Sequence, residues 1–552
     1  MYRLLLQQRQ AQVMFEFNRR NPNKPMHGLS AGVQSEFLSN GGNALVLRGQ
    51  VIGAPQPLPE PVPVPVPPSC SIEEQFQYAL SALFTYNAAN NVPPTRCARI
   101  YYLWFASVAQ AYNWVTAAGA VTGVKDSWNW DTSRAAAPLS EGQVYVWMTR
   151  VLIRLLETFA PGTPLSPFLE RERNTFRWDE GQQAAAAAAT QAAGSWDSWL
   201  AAWGGWWAAR AADGNVAAGT PPTDVQQPNG ATTLDVTVTQ NFTDAVAYPQ
   251  VSKWTPLKVG GAKRGYLTYG WENVTSTCLS AWDETTVKSA AQGEMLTDDT
   301  ARAAEIDALK EVVTTLTDRQ KVIAEFWAGG PFTVAPPGMC IWFWAQHCVL
   351  TGQPLRTRVY SGLDLAVNLF EGSRITWALK RWGMEARPIQ EIRRRYAGQT
   401  LTSYTGAPVA AALWMPFQLP NFVTPPFPDF PSGHSTFSQC FANVMTDWFG
   451  AAVPAGGFKT SELALLCPMM GGEREVALTR FEIPAGSSEI QPGAVPAAPV
   501  ALEFTSWQDM ADQAGVSRQY GGIHAASAHL GGQAVANGLH GVIKSAWGIA
   551  HS

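Results

Sequence analysis

Three short segments in the last third of the chain gather the cations, hydroxyls and histidines that an oxyanion site needs. The first reads Trp377-Ala-Leu-Lys380-Arg-Trp-Gly-Met-Glu-Ala-Arg387-Pro388. Lys380 and Arg387 are seven positions apart, about two turns of a helix, so a continuous helix would project both from nearly one face. Pro388 disfavours helical geometry at Arg387, which places that guanidinium at a frayed helix end. The second segment, Pro425-Pro-Phe-Pro-Asp-Phe-Pro-Ser432-Gly433-His434, approaches in an extended path. Ser432 can cap the helix that follows, and Gly433 lets the backbone come close to a ligand. Free N–H groups and the positive helix end then point at one spot, which suits an anion. His434, in the first turn, could give or take a proton beside it.

The third segment is Ser517-Arg518-Gln-Tyr-Gly-Gly-Ile-His524, followed by the small-residue run AASAHLGGQAVANGLHG. Such a helix packs its backbone closely and can hold His524 rigidly. Each segment alone has a blander reading: a solvated stripe of Lys and Arg, an ordinary capped helix, a core histidine. Their combination is what points to chemistry.

Lys-x6-Arg-Pro, then Pro-Ser-Gly-His, then Ser-Arg-x5-His, in that order, resembles the signature of the vanadium-dependent haloperoxidase and type 2 phosphatidic acid phosphatase superfamily. Between Pro388 and Pro431 lie 42 residues, and between His434 and Ser517 lie 82; the small phosphatases of the superfamily have a shorter second gap. The chain is therefore most similar to the fungal vanadium chloroperoxidase-like branch, which also places a Trp three before the Lys and a Phe seven before the acid–base His, here Trp377 and Phe427. Looser likeness runs upstream through Trp254-Thr-Pro-Leu, Tyr269-Gly-Trp-Glu-Asn-Val and Ala324-Glu-Phe-Trp-Ala-Gly-Gly-Pro.

The resemblance implies a vanadate, or phosphate in its place, held by Lys380, Arg387, Ser432, Gly433 and Arg518, with His524 bonded to the metal. It implies His434 as the acid–base group, Trp377 and Phe427 lining a halide pocket, and oxidation of halide by hydrogen peroxide to hypohalous acid. Three cationic side chains match a multiply charged tetraoxo anion, and arginine forks suit its oxygens. In a phosphatase the same His524 would be the nucleophile. One departure stands out. The superfamily commonly continues from the metal-binding His with three residues and then Asp, where this chain has Ala528. An unsupported imidazole typically costs about 10 to 100-fold in affinity or activity. Ser527, His529 or a backbone carbonyl could stand in. Otherwise the chain is a haloperoxidase-like structural or assembly subunit.

The elements that must position these residues are mostly helical. Apolar spacings of three and four predict helices at Ile72–Ala89, Thr95–Thr116, Ser140–Phe159, Asp298–Phe326, Cys340–Thr351, Ser361–Ala386, His434–Phe449, Trp507–Ala514 and His524–Trp547. The alanine-rich stretch 182–212 carries Trp196, Trp199, Trp203, Trp206 and Trp207, read as a close-packing helix with buried aromatic anchors. Thr232–Gln240 alternates and is the best strand candidate. The expected fold is mainly α and haloperoxidase-like, two four-helix bundles with minor β ornament. Its divisions are an N-terminal arm (1–53), a proline-rich linker (54–70), an N-terminal helical half (71–330) and a C-terminal half bearing the oxyanion site (331–552).

Of 552 residues, 39 are Lys or Arg and 43 Asp or Glu, a net charge of -4. That balance is too even and too dilute for nucleic-acid binding. No uninterrupted apolar run is long enough to span a bilayer, so no transmembrane segment is expected; nor does the N-terminus carry the apolar core of a secretory signal. The chain reads as soluble. Seven scattered cysteines without a CxxC pair argue against a zinc cluster and a dense disulfide framework. The arm and its proline strap could tie the chain into a homo-oligomer or larger assembly.

Overall fold

Apolar residues spaced three and four apart need a partner surface, and here they bury one another along a series of helices. In the computed structural model the described residues are 71–116, 141–164, 196–214 except 212, and 253–548 except 260 and 261, with short strands Leu45–Leu47, Gln50–Ile52 and Leu234–Asp235. The linker, Cys70, residues 182–195 and nearly all of the arm and of the 232–240 strand candidate lie outside them. The other six cysteines are free thiols.

Among the described residues four helices come first: α1 (Ile72–Ala89), α2 (Pro94–Thr116), α3 (Glu141–Phe159) and α4 (Trp196–Ala211). A Ser71–Glu74 capping box starts α1. Trp199, Trp203 and Trp206 are buried, and the Trp203 indole donates to Ser107 Oγ at 2.8 Å, so these rings are anchors. Next come α5 (Ala281–Gln292), α6 (Asp299–Thr314), α7 (Asp318–Phe326), α8 (Ala335–Leu350) and α9 (Leu355–Gly383). The helix expected over Asp298–Phe326 is two helices, because Thr317 opens a new capping box with Gln320.

The long helix α9 packs on helices that precede and follow it in the chain. One side packs on α2, where Gly362 leaves no room for a Cβ against the Phe105 ring. Another packs on α11 (Gly433–Phe449) and α13 (Ala526–Trp547), with Gly372 against Thr436 and Cys440. Between them lie α10 (Pro388–Arg395) and α12 (Trp507–Tyr520).

The β content exceeds the single strand expected from sequence. Strands Gly457–Thr460, Arg474–Ala477, Arg480–Ile483 and Val500–Glu503 form a four-stranded antiparallel sheet, covering Phe481, Ile483 and Leu502. It accounts for the long second gap between the site segments. The sequence reading assigned no element between Phe449 and Trp507 and so missed it, because each strand is four residues long and too short to show alternation.

Candidate active site

A second correction concerns the first segment. Lys380 and Arg387 do not share a helix face, because α9 ends at Gly383 and Met384 takes a left-handed conformation (φ 48°) as its C-cap. The chain turns through Glu385, and Arg387 becomes the N-cap residue of α10, with Pro388 in the first turn. The break nevertheless leaves both cations at the same loop. Lys380 Nζ donates to the carbonyls of Pro428 (2.8 Å), Asp429 (2.9 Å) and Pro431 (2.5 Å). Arg387 Nε donates to Phe427 O at 2.7 Å.

The second segment behaves as its residues dictate. Ser432 caps α11, its Oγ accepting from Ser435 N, and Gly433 begins the helix. The small-residue helix α13 closes in behind: Cβ atoms at Gly531 and Gly532 would meet the Phe430 ring and the Ser432 carbonyl at 2.5 Å. Trp377 and Phe427 are buried with ring centroids 4.9 Å apart. Lys380 Nζ lies 5.0 Å and the Arg387 guanidinium 4.9 Å from the Phe427 ring, so one face of that aromatic pair is covered by cations.

His524 stands between the two loops. Its Nδ1 is 2.5 Å from Asp429 Oδ1, and its Nε2 is 3.1 Å from Arg387 Nη1. Arg387 Nη1 also donates to Ile523 O at 2.7 Å. Burial and the neighbouring Arg387 push His524 down to about 3, so the ring is neutral. Arg387 Nη1 also lies 3.4 Å from Nδ1, so the guanidinium sits against the ring near both nitrogens; the shorter approach of the carboxylate to Nδ1 favours the proton there and the lone pair on Nε2. Burial opposes ionisation of Asp429, but His524, Arg302 and Arg387 outweigh it and hold the carboxyl below the usual range.

Arg518 is fixed by Ser517 Oγ at 2.9 Å and by the Ala324 carbonyl, and His434 Nε2 donates to Ala328 O at 3.1 Å. Thus the Ala-Glu-Phe-Trp-Ala phrase supplies carbonyls to two of the predicted site residues. Burial and the charge of Arg518 push His434 well below the usual histidine range. Of the nine predicted site residues, only His434 is partly open to solvent. Burial draws Arg387 down to about 10 and Arg518 to about 9, so both stay charged at neutral pH. Burial also pushes Lys380 well below the usual lysine range. Its three carbonyl acceptors require three N–H donors, which only the ammonium has, and the geometry favours the charged form.

The residue that sequence reasoning missed is Asp429. It lay inside the quoted proline segment, read only as part of an extended approach. Ser527 and His529, which looked able to support His524, have other partners: Ser527 donates to Glu305, and His529 Nδ1 sits 2.9 Å from Ser435 Oγ. Behind Asp429 lies Arg302, within 3.3 Å of Glu305, Glu385, Glu391 and Asp429.

The residues fit a multiply charged oxyanion. Arg387 Nη2 is buried without a hydrogen-bond partner, so this charged guanidinium keeps donors unused. Among the described residues no cluster of three or more His, Cys, Asp or Glu side chains is set to hold a metal cation. One imidazole lone pair among cations suits an oxyanion instead.

Comparison with known proteins bears on the fold. Residues 362–547 match the family model for the VCPO (vanadium chloroperoxidase) second helical-bundle domain. Over those residues the chain is similar to the vanadium haloperoxidase family. The described residues also share that fold. The chain superposes on an apo-type bacterial vanadium-dependent chloroperoxidase with a TM-score of 0.54 and 14% identity, covering 81% of this chain and 94% of that one. The holo-type bacterial chloroperoxidase gives 0.52 at 13% identity, covering 83% and 94%. The first bacterial vanadium-dependent iodoperoxidase gives 0.53 at 16%, covering 87% and 97%. No curated protein matches the sequence. As in the sequence expectation, no helix among the described residues is long and apolar enough to cross a membrane.

Proposed function

We propose that the chain is a vanadate-dependent haloperoxidase that oxidises halide with hydrogen peroxide to hypohalous acid. The observation that carries this reading is the unpartnered, buried Nη2 of Arg387, whose Nη1 lies 3.1 Å from Nε2 of the neutral His524 ring. In the proposed roles Arg387, Arg518, the Gly433 N–H and Ser432 Oγ hold the anion oxygens, with Lys380 adding positive charge, and His524 Nε2 bonds the metal. Arg387 now shares that lone pair and must yield it on binding. Bound vanadate would supply a Lewis-acidic centre that activates peroxide toward halide without changing oxidation state.

The chain's own groups have separable tasks. Arg387 and Arg518 neutralise charge on the oxyanion, in fixed positions that need no reorganisation. His434, partly open to solvent and with its Nε2 proton committed to Ala328, is the group proposed to accept a proton from incoming peroxide. Trp377 and Phe427 exclude water on the side proposed for halide.

The His524–Asp429 pair also favours a second reading, an acid phosphatase in which His524 attacks phosphorus. The case for a retired site used as an assembly component weakens, since Asp429 supplies the carboxylate that Ala528 lacks. We retain as proposals the boundary near residue 330 and self-association through residues 1–70. The deciding experiment titrates the full chain with orthovanadate, then assays peroxide-dependent halogenation with chloride, bromide and iodide beside phosphomonoester hydrolysis. Orthovanadate-dependent halogenation supports the first reading; hydrolysis inhibited by orthovanadate, without halogenation, replaces it with the second; neither activity returns the chain to an assembly role.

A further inference from the structure

A ligating or attacking imidazole is useful only if its second nitrogen is held, because an unheld ring rotates and exchanges tautomers. In this chain position 528, one helical turn beyond His524, is alanine with a fully buried side chain. It offers no hydrogen bond from its side chain. Its backbone carbonyl accepts from Ser432 N at 2.7 Å and is committed to the second segment. The two polar neighbours on α13 face other partners. What reaches Nδ1 is a carboxylate from a different element, the proline loop that precedes α11, at 2.5 Å.

Besides His524, two groups hold that carboxylate. Asp429 Oδ2 lies 3.1 Å from Arg302 Nη2 on α6, and Ala525 N donates to the same oxygen at 3.4 Å. The Asp429 backbone is fixed as well, its N–H donating to Glu385 O at 2.9 Å and its carbonyl accepting from Lys380. Lys380 binds the carbonyls on either side of the loop too, at Pro428 and Pro431. All three of its protons are directed at this loop, so its contribution is to hold the backbone that carries Asp429.

We propose that Asp429 is the positioning residue of this site: clamped by Arg302 through its side chain and by Lys380 through its backbone, it fixes His524 as the Nδ1–H tautomer with Nε2 facing the cationic cup. The proposal rests on the reading of His524 as the bonding imidazole, and it assigns to the proline loop a function that position 528 cannot serve. It also gives Lys380 a second task, as loop clamp, beside its charge.

The test uses the full chain labelled with 15N-histidine, with His524 assigned by the signal lost in His524→Gln. In the wild type at neutral pH the ring is expected to show a protonated Nδ1 and an unprotonated Nε2; a protonated Nε2 would overturn the proposal without any variant. In Asp429→Asn, which keeps the shape of the side chain, the Nδ1–H tautomer is expected to lose its dominance. Orthovanadate affinity, followed by 51V NMR, should fall by about 10 to 100-fold. An unchanged tautomer and affinity in a folded Asp429→Asn protein overturns the assignment. If the wild type binds no orthovanadate while the tautomer still responds to Asp429→Asn, the positioning role stands and the vanadate reading fails.

Discussion

Gly532 of α13 lies directly beneath the carbonyl of Ser432: a Cβ added there would stand 2.5 Å from that oxygen and 2.8 Å from the Ser435 Cβ. The carbonyl cannot retreat, because it accepts the Thr436 N–H of the first turn of α11 at 3.1 Å. This contact sets the height of the Ser432–Gly433 turn relative to His524.

Gly532→Ala therefore sets two effects against each other. Alanine gains about 1 kcal/mol of helix propensity over glycine, while overpacking costs about 1–3 kcal/mol. With backbone as the obstacle the cost wins, and urea unfolding is expected to show a net loss of about 1–2 kcal/mol together with weaker orthovanadate binding. Gly541 on the same helix is exposed with nothing within 4 Å of its added Cβ. Gly541→Ala should stabilise by up to about 1 kcal/mol and leave binding unchanged. A stabilised Gly532→Ala would refute the close-contact account.

How much of this was legible beforehand differs by kind of signal. Helix periodicity is local, and it located most helices of the described residues, apart from the break at Thr317, the late starts assigned to α8 and α9 and the early end assigned to α12; α5 and α10 were not anticipated. The three site segments were legible because the chemistry needs particular side chains at short spacings. The αL turn at Met384 was not, since a helix of this hydrophobic pattern gives no notice that it stops three residues after Lys380. Asp429 was hidden for a different reason. Its partner His524 is 95 positions away, and only the closure of α13 on the proline loop brings carboxylate and imidazole together.

Glu325, at the end of α7, should make stability fall as pH rises. Its carboxylate accepts from Ser488 Oγ and from Glu489 N at 2.7 Å, yet burial pushes it up from 4.5 to about 7. The folded state thus keeps a proton that the unfolded chain releases, so this group's stabilisation is complete below pH 4.5 and is lost as pH climbs through 7. The difference corresponds to about 3 kcal/mol at most. Comparing urea midpoints of wild type and Glu325→Gln from pH 4.5 to 8.5 isolates it: the wild type should lose ground to the variant as pH rises, with the two curves parallel above about pH 8.

Lys380 and Arg387 should fail in different ways when replaced. Lys380→Met leaves the carbonyls of Pro428, Asp429 and Pro431 buried without a donor, at about 1–3 kcal/mol for each unsatisfied group. A large drop in melting temperature is expected, with anion binding lost alongside. Arg387→Lys keeps the charge but loses the fork that spans Phe427, Ile523 and the site. It should remain folded and bind orthovanadate at least about tenfold more weakly. Equal stability losses in the two variants would contradict this division.

Arg302 gives the most pH-sensitive prediction. It is the shared counter-ion of Glu305, Glu385, Glu391 and Asp429, all but Glu305 essentially sealed from solvent. Removing one partner of a buried pair costs about 3–5 kcal/mol, because the remaining charge stays desolvated. Arg302→Met therefore leaves several carboxylates whose easiest escape is protonation. Burial already lifts Glu385 to about 8 even with Arg302 present. Without the guanidinium these groups hold protons in the folded state that they release on unfolding, so the variant's stability falls as pH rises. Measured as the difference in unfolding free energy from wild type, the deficit should be smallest near pH 4.5 and grow toward pH 8. A pH-independent deficit would mean that Arg302 acts through packing alone, and that Asp429 is held toward His524 by its backbone rather than by charge.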